Sequence, residues 1–164
     1  MNNPLRRISR HIFILLLALP LPAWASCALC TCTVNATGVS FGTYSPLSGL
    51  NAENTGSVRL SCGGGGGTVG YTIRLSRGMY SAGFSPRCMS NGRGRLNYEL
   101  YIDPAHTTIW GDGSSATAFI SDSLGVRPAG SSRNHVVYGR IPARQTSAAV
   151  GSYSDTITIT IIYQ

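Results

Sequence analysis

YSDTITITIIYQ, residues Tyr153–Gln164, is the stretch that decides the fold class. From Thr156 to Ile161 it alternates Thr and Ile with period 2. That spacing puts every Ile on one face and every Thr on the other, as in a half-buried β-strand. Both residue types are β-branched and suit a pleated surface. The same alternation recurs upstream. Val69, Tyr71, Ile73 and Leu75 alternate with Gly70, Thr72, Arg74 and Ser76. Leu96, Tyr98, Leu100 and Ile102 alternate with Asn97, Glu99, Tyr101 and Asp103. Each pattern gives one face to a core and leaves the other to solvent or a partner. Strands are therefore predicted at Cys32–Val39, Gly56–Ser61, Thr68–Ser76, Arg95–Ile102, His135–Ile141 and Asp155–Tyr163. Helical periodicity is almost absent, and turn residues punctuate the short runs, so an all-β sandwich or barrel is expected.

The N-terminus reads as an export leader. Arg6, Arg7 and Arg10 form a basic segment, and Ile12 to Leu21 an apolar one too short to span a bilayer. Ala23-Trp24-Ala25 fits a small-residue cleavage pattern, which predicts a leader over 1–25 and a mature domain over 26–164. Removing the leader's three Arg leaves ten Arg against six acids, so the formal charge falls from +7 to +4. The remaining Arg are scattered rather than clustered with aromatic residues, which argues against nucleic acid as a partner. The pair Arg93 and Arg95 reads as a solvated loop.

All five cysteines lie beyond the leader, at 27, 30, 32, 62 and 88. In an oxidising compartment they read as disulfides. Cys27-x-x-Cys30-x-Cys32 lacks a fourth zinc ligand at sensible spacing, and no βαβ pattern supports a redox motif. A Cys32–Cys62 bridge is preferred, with a loop-closure stabilisation of roughly 3–4 kcal/mol. Cys88 is then the leftover thiol, or it bridges to Cys27 or Cys30.

The run Gly63–Gly67 lacks the Lys-Ser or Lys-Thr and the helix of a phosphate loop, and is read as a flexible hairpin. Trp110-Gly111-Asp112-Gly113 reads as a tight turn. Asp103 and Asp112 sit in turn contexts where Asp is ordinary. His106 and His135 are weak candidates for a general base, and no G-x-S-x-G elbow is present. No catalytic residue, cofactor, metal or small-molecule substrate is expected. Tyr44, Tyr80, Phe84, Tyr101 and Trp110 are contact candidates if they are exposed.

Several strings then fall in order: Cys32-Thr-Val, Phe41-Gly-x-Tyr-x-Pro46, Gly56-Ser-Val-Arg-Leu-Ser-Cys62 and Tyr71-Thr-Ile-Arg-Leu-Ser76. They continue with Leu96-Asn-Tyr-Glu-Leu-Tyr101, Trp110-Gly-Asp-Gly113, Tyr138-Gly-Arg-Ile-Pro142 and Gly151-Ser-Tyr-Ser-Asp-Thr156. Taken together, the series resembles the spore coat protein U domain family, which takes in secreted spore coat protein U and the subunits of archaic, Csu-type chaperone–usher pili. The resemblance covers about Cys32 to Tyr163. It implies an immunoglobulin-like β-sandwich that, in pilus subunits, lacks its last strand. A periplasmic chaperone fills the gap first, and the N-terminal extension of the next subunit then replaces it, in an assembly that uses an outer-membrane usher. The implied role is structural or adhesive, in a fimbrium at the cell surface, with Ile157, Ile159 and Ile161 flanking the donor-strand groove.

The sequence departs from that pattern in two places. Between Ser26 and Cys32 there is too little alternating chain to fill a groove of ordinary strand length, so acceptance of a strand is expected rather than donation. Cys88 stands where a basic residue is expected in relatives. The competing expectation is a self-contained secreted coat or matrix domain. A ligand cleft around Asp103 and Asp112 would be the mark of an enzyme or small-ligand binder.

Overall fold

The computed structural model describes Cys27 and residues 29–164. The expected leader and its cleavage junction lie outside the described residues. Eight strands follow in chain order: β1 (Cys30–Thr37), β2 (Ala52–Gly64), β3 (Gly67–Leu75), β4 (Arg87–Ser90), β5 (Arg95–Tyr101), β6 (Ile120–Val126), β7 (Ser131–Ile141) and β8 (Ile159–Tyr163). One sheet runs β1-β2-β7-β5-β4 and the other β6-β3-β8, and the strands pair antiparallel throughout. This is the all-β sandwich that the alternation predicts, in the immunoglobulin-like layout that the resemblance implies. The inward faces of β3 and β5 are the ones the alternation predicts, and β2 adds a third. Val58 and Leu60 of β2 and Tyr71, Ile73 and Leu75 of β3 are buried, as are Leu96, Tyr98 and Leu100 of β5.

Four differences from the predicted elements have physical causes. β4 is only four residues long and too short to show a period. β6 hides its period because its inward series is Ile120, Asp122, Leu124 and Val126, with a carboxylate among apolar residues. β8 begins four residues late. Ser154 pairs with Ser90 of β4, whereas the Thr158 carbonyl accepts from Ser76 N beside β3, so the chain between them crosses from one sheet to the other. The run Gly63–Gly67 is not a hairpin: it carries the chain from β2 in the first sheet to β3 in the second. Gly64, Gly66 and Gly67 take φ of +111°, +76° and +134°, which side chains resist, and this explains an all-glycine arch.

Trp110, a contact candidate by sequence, is instead fully buried, its indole N–H donating to the Ile73 carbonyl at 3.1 Å. Arg87 is fully buried too. It donates to Glu99 Oε1 at 2.5 Å, to the Trp110 carbonyl at 2.6 Å and to the Ser76 carbonyl at 3.0 Å. One guanidinium thus ties the end of β3, the start of β4, β5 and the Trp110 segment together. Burial pushes the Glu99 carboxyl above its usual range, and Arg87 opposes that rise.

Candidate functional site

The sandwich is open along one side. A cleft of about 860 Å³ reaches the core, and its floor includes Val58, Leu75, Leu96, Tyr98, Leu100 and Val137. These are core residues of both sheets, so the cleft is a gap in the core rather than a dent in the surface.

One wall is residues 36–44. The β1–β2 ladder ends at Thr37 opposite Ser57, and the chain continues as a strap without ladder partners. The strap lies low over β2 and β7 because Gly56 and Gly139 leave room. A Cβ on Gly139 would sit 2.7 Å from Val39 Cγ1 and 2.8 Å from Phe41 Cζ. Phe41 meets Tyr98 edge-on at 6.2 Å, and Asn54 Nδ2 donates to the Ser40 carbonyl at 2.5 Å.

The opposite wall runs from Ala148 through Asp155 to Ile157 and Ile159. Asp155 fixes it. Its Oδ2 accepts from Tyr98 Oη at 2.6 Å, and its Oδ1 accepts from Met79 N and Thr156 N, both at 2.8 Å. Burial, and then Asp155, push the Tyr98 hydroxyl well above its ordinary range, so it stays a donor. Among the described residues, the main-chain N–H and C=O of Val39, Phe41 and Ile157 have no protein partner. Each wall therefore has main-chain donors and acceptors without a protein partner, at Val39 and Phe41 on one side and Ile157 on the other, above an apolar floor.

Of the three groove candidates, Ile157 and Ile159 line the cleft. Ile161 packs on the core in register with Ile73 of β3, beyond the cleft's end. The strap, the Ala148–Asp155 segment and the Tyr98–Asp155 bond were not singled out for the groove from sequence. The only signal for the strap was Phe41-Gly42-x-Tyr44-x-Pro46, read as a strand ending in a turn.

The four bridged cysteines do not line the cleft. Cys32 and Cys62 are bridged across directly opposed positions of β1 and β2, their Cα atoms 4.1 Å apart. Cys27 bridges Cys30 beside the glycine arch, and Cys88 is a free, half-buried thiol on β4. Cys88 Sγ points at Asn97 Oδ1 on β5, so its bridge to Cys27 or Cys30 is not formed.

The polar candidates do not converge. Asp103 closes its own turn, accepting from Thr107 N and Thr108 N. A small desolvation would raise its pKa, but those hydrogen bonds hold it below the usual carboxylate value. Asp112 accepts from the Ser114 hydroxyl and backbone, which lower it likewise. His106 packs between Tyr101 and Tyr138, its Nδ1 2.8 Å from Arg140, which also binds Glu53. His135 lies within β7, and its Nε2 is 2.9 Å from Tyr71 Oη and 3.9 Å from Asp122. Burial lowers the His135 pKa and raises Tyr71 to about 12, Asp122 adding to the latter. That cluster joins β7, β3 and β6 and does not line the cleft. Tyr80 is exposed, while Tyr44, Phe84 and Tyr101 are half-buried. Among the described residues, no group of three or more His, Cys, Asp or Glu could hold a metal ion.

A family model described as the Spore Coat Protein U domain matches residues 22–160. No curated protein matches the chain. Among solved structures, the pre-assembly complex of the chaperone CsuC with the tip adhesion subunit CsuE is similar. It comes from the archaic chaperone–usher Csu pili of Acinetobacter baumannii. The match has 21% sequence identity, a TM-score of 0.54 and 81% coverage of this chain, and spans 39% of that one's length. At that identity the likeness shows the fold.

Proposed function

The chain belongs to the Spore Coat Protein U domain family, and from that premise we propose that it is an exported structural subunit of a pilus or surface fibre. In this reading the cleft accepts an extended segment from a partner protein. The observation that carries the reading is the gap in the core itself, with buried apolar side chains as its floor and unpaired backbone on both walls. An inserted strand would bond to the main chain of either wall and place alternate side chains on the floor. Left open, the gap is an apolar edge prone to aggregation, which is why a periplasmic chaperone would hold the subunit before an usher and a neighbouring subunit take over. The role is structural and adhesive rather than enzymatic: Asp103, Asp112, His106 and His135 are committed to turns and side-chain bonds away from the cleft, and Tyr98 and Asp155, which do line it, are bonded to each other.

One observation favours a second reading, a self-contained secreted coat domain. The floor residues Leu96, Tyr98 and Leu100 are already no more than 5% exposed with the cleft empty. A thermal melt of the chain recovered from an oxidising compartment separates the two. Aggregation or a non-cooperative trace, rescued by a chaperone or by an alternating apolar peptide, supports the subunit. A cooperative melt of the lone monomer, unmoved by peptide, supports the coat domain.

A further inference from the structure

We propose that Tyr44, held by Gln145, is the end-stop of the cleft and sets the length and register of the segment that fills it. The inference rests on the strand-accepting reading. The two walls are bonded to one another where the strap reaches Tyr44. Tyr44 terminates the strap, and its hydroxyl donates to the Pro142 carbonyl at 2.8 Å and accepts from Gln145 N at 3.0 Å. Residues 142–149 lead directly into the second wall, which begins at Ala148. At this end the cleft is therefore a blind slot.

The joint is braced against the floor. The β5–β7 ladder covers only Glu99–Tyr101, so Asn97 has no β7 partner. The Gln145 side chain replaces it: Asn97 N donates to Gln145 Oε1 and Gln145 Nε2 donates to the Asn97 carbonyl, both at 2.8 Å. A side-chain amide thus imitates the missing strand residue. Arg144 N adds a bond to the Ser48 carbonyl at 3.2 Å, and Ala143 N one to Asn51 Oδ1 at 2.9 Å. A segment lying along the strap must stop against this bridge. The wall that ends at Tyr44 is residues 36–44, the last two of β1 and the strap, so a segment of about nine residues fills the slot at the usual strand rise.

The test uses labelled peptides alternating Val or Ile with Thr or Ser, about five to about thirteen residues long. Each is present while the purified chain refolds from urea, and the soluble peptide complex is measured. For the wild type, each two-residue extension should tighten capture about tenfold, one further side chain being buried, until the gain ceases near about nine residues. In Tyr44→Ala and in the milder Gln145→Ala the gain should continue to longer peptides. A benzophenone at one terminus of the nine-residue peptide should cross-link the wild type within residues 142–149, a readout that needs no variant to fold. Affinity that keeps rising with length in the wild type, an identical plateau in both variants, or cross-links elsewhere from both termini would overturn the end-stop. Capture of no peptide at any length would instead sink the strand-accepting reading beneath it.

Discussion

Arg87→Met is the substitution whose consequence the structure fixes most closely. Met keeps much of the buried volume but removes the bonds to Glu99 Oε1, to the Trp110 carbonyl and to the Ser76 carbonyl. It strands a carboxylate that is 5% exposed and whose Oε2 already has no partner. Breaking a buried pair by removing one partner costs about 3–5 kcal/mol, against a typical domain stability of about 5–15 kcal/mol. The loss also acquires a pH dependence. Burial already pushes the Glu99 carboxyl up, and without Arg87 nothing comparable pulls it back. A carboxyl raised in the folded state binds its proton more tightly there than in the unfolded chain. Stability then falls as pH rises from the unfolded value of about 4.5 through the raised folded one. Urea unfolding should therefore find Arg87→Met weaker at pH 7 than at pH 5, by a larger margin than in the wild type. Adding Glu99→Gln should recover about 1–3 kcal/mol at pH 7, because the unpaired charge is gone. A variant within about 1 kcal/mol of wild type, with the same pH profile, would refute the view that this pair organises the Trp110 side of the sandwich.

Further outcomes follow from other sites. The His135 pKa is lowered in the folded state, so the unfolded chain takes the proton first. Stability should fall as pH drops below the unfolded value of about 6.5, and His135→Gln should lack that component in urea unfolding between pH 7.5 and 5.5. Gly139→Val should displace the strap, because even a Cβ would meet Val39 and Phe41. The expected cost is about 1–3 kcal/mol in urea, with a loss of peptide capture larger than that of a surface substitution. Trp110→Phe should cost about 1–3 kcal/mol through a lost indole bond and a small cavity, and leave peptide capture unchanged. Thiol titration of the unfolded, non-reduced chain should return one free group, and none in Cys88→Ser.

The sheets were legible because their inward faces are mostly uninterrupted apolar alternations. Tyr71, Ile73 and Leu75, and Leu96, Tyr98 and Leu100, announce themselves by period alone, and each is buried. Where a polar residue enters the inward series, the period fails. Asp122 interrupts β6 because it accepts from Tyr71 on the neighbouring β3 at 3.3 Å and pairs with Arg133 across the sandwich at 3.3 Å, a three-dimensional reason invisible in one dimension. Arg87 shows in the sequence only as one of the scattered Arg, for the same reason. Nothing local marks it as buried, because its partners come from positions 76, 99 and 110. The family resemblance supplied the sandwich and the idea of a gap. It could not supply the strap, whose seat depends on two glycines far from it in the chain, Gly56 and Gly139.

The Thr/Ile stretch shows where a periodic pattern stops being informative. Period 2 reports which way side chains face, and Ile157, Ile159 and Ile161 do all face the core. It does not report whether the backbone is paired. Ile161 is held in the β3–β8 ladder opposite Ile73, Ile159 sits at the ladder's first position opposite Leu75, and Ile157 lies before it with both main-chain groups free. The same alternation therefore runs out of a finished sheet and into the rim of an unfinished one. Pairing ends where the chain must swing from Ser154 beside β4 to Thr158 beside β3, because one extended segment cannot keep a partner in both sheets while crossing between them. The crossing is what separates the two sheet edges along this side. A gap that both sheets floor therefore follows from the chain's own path.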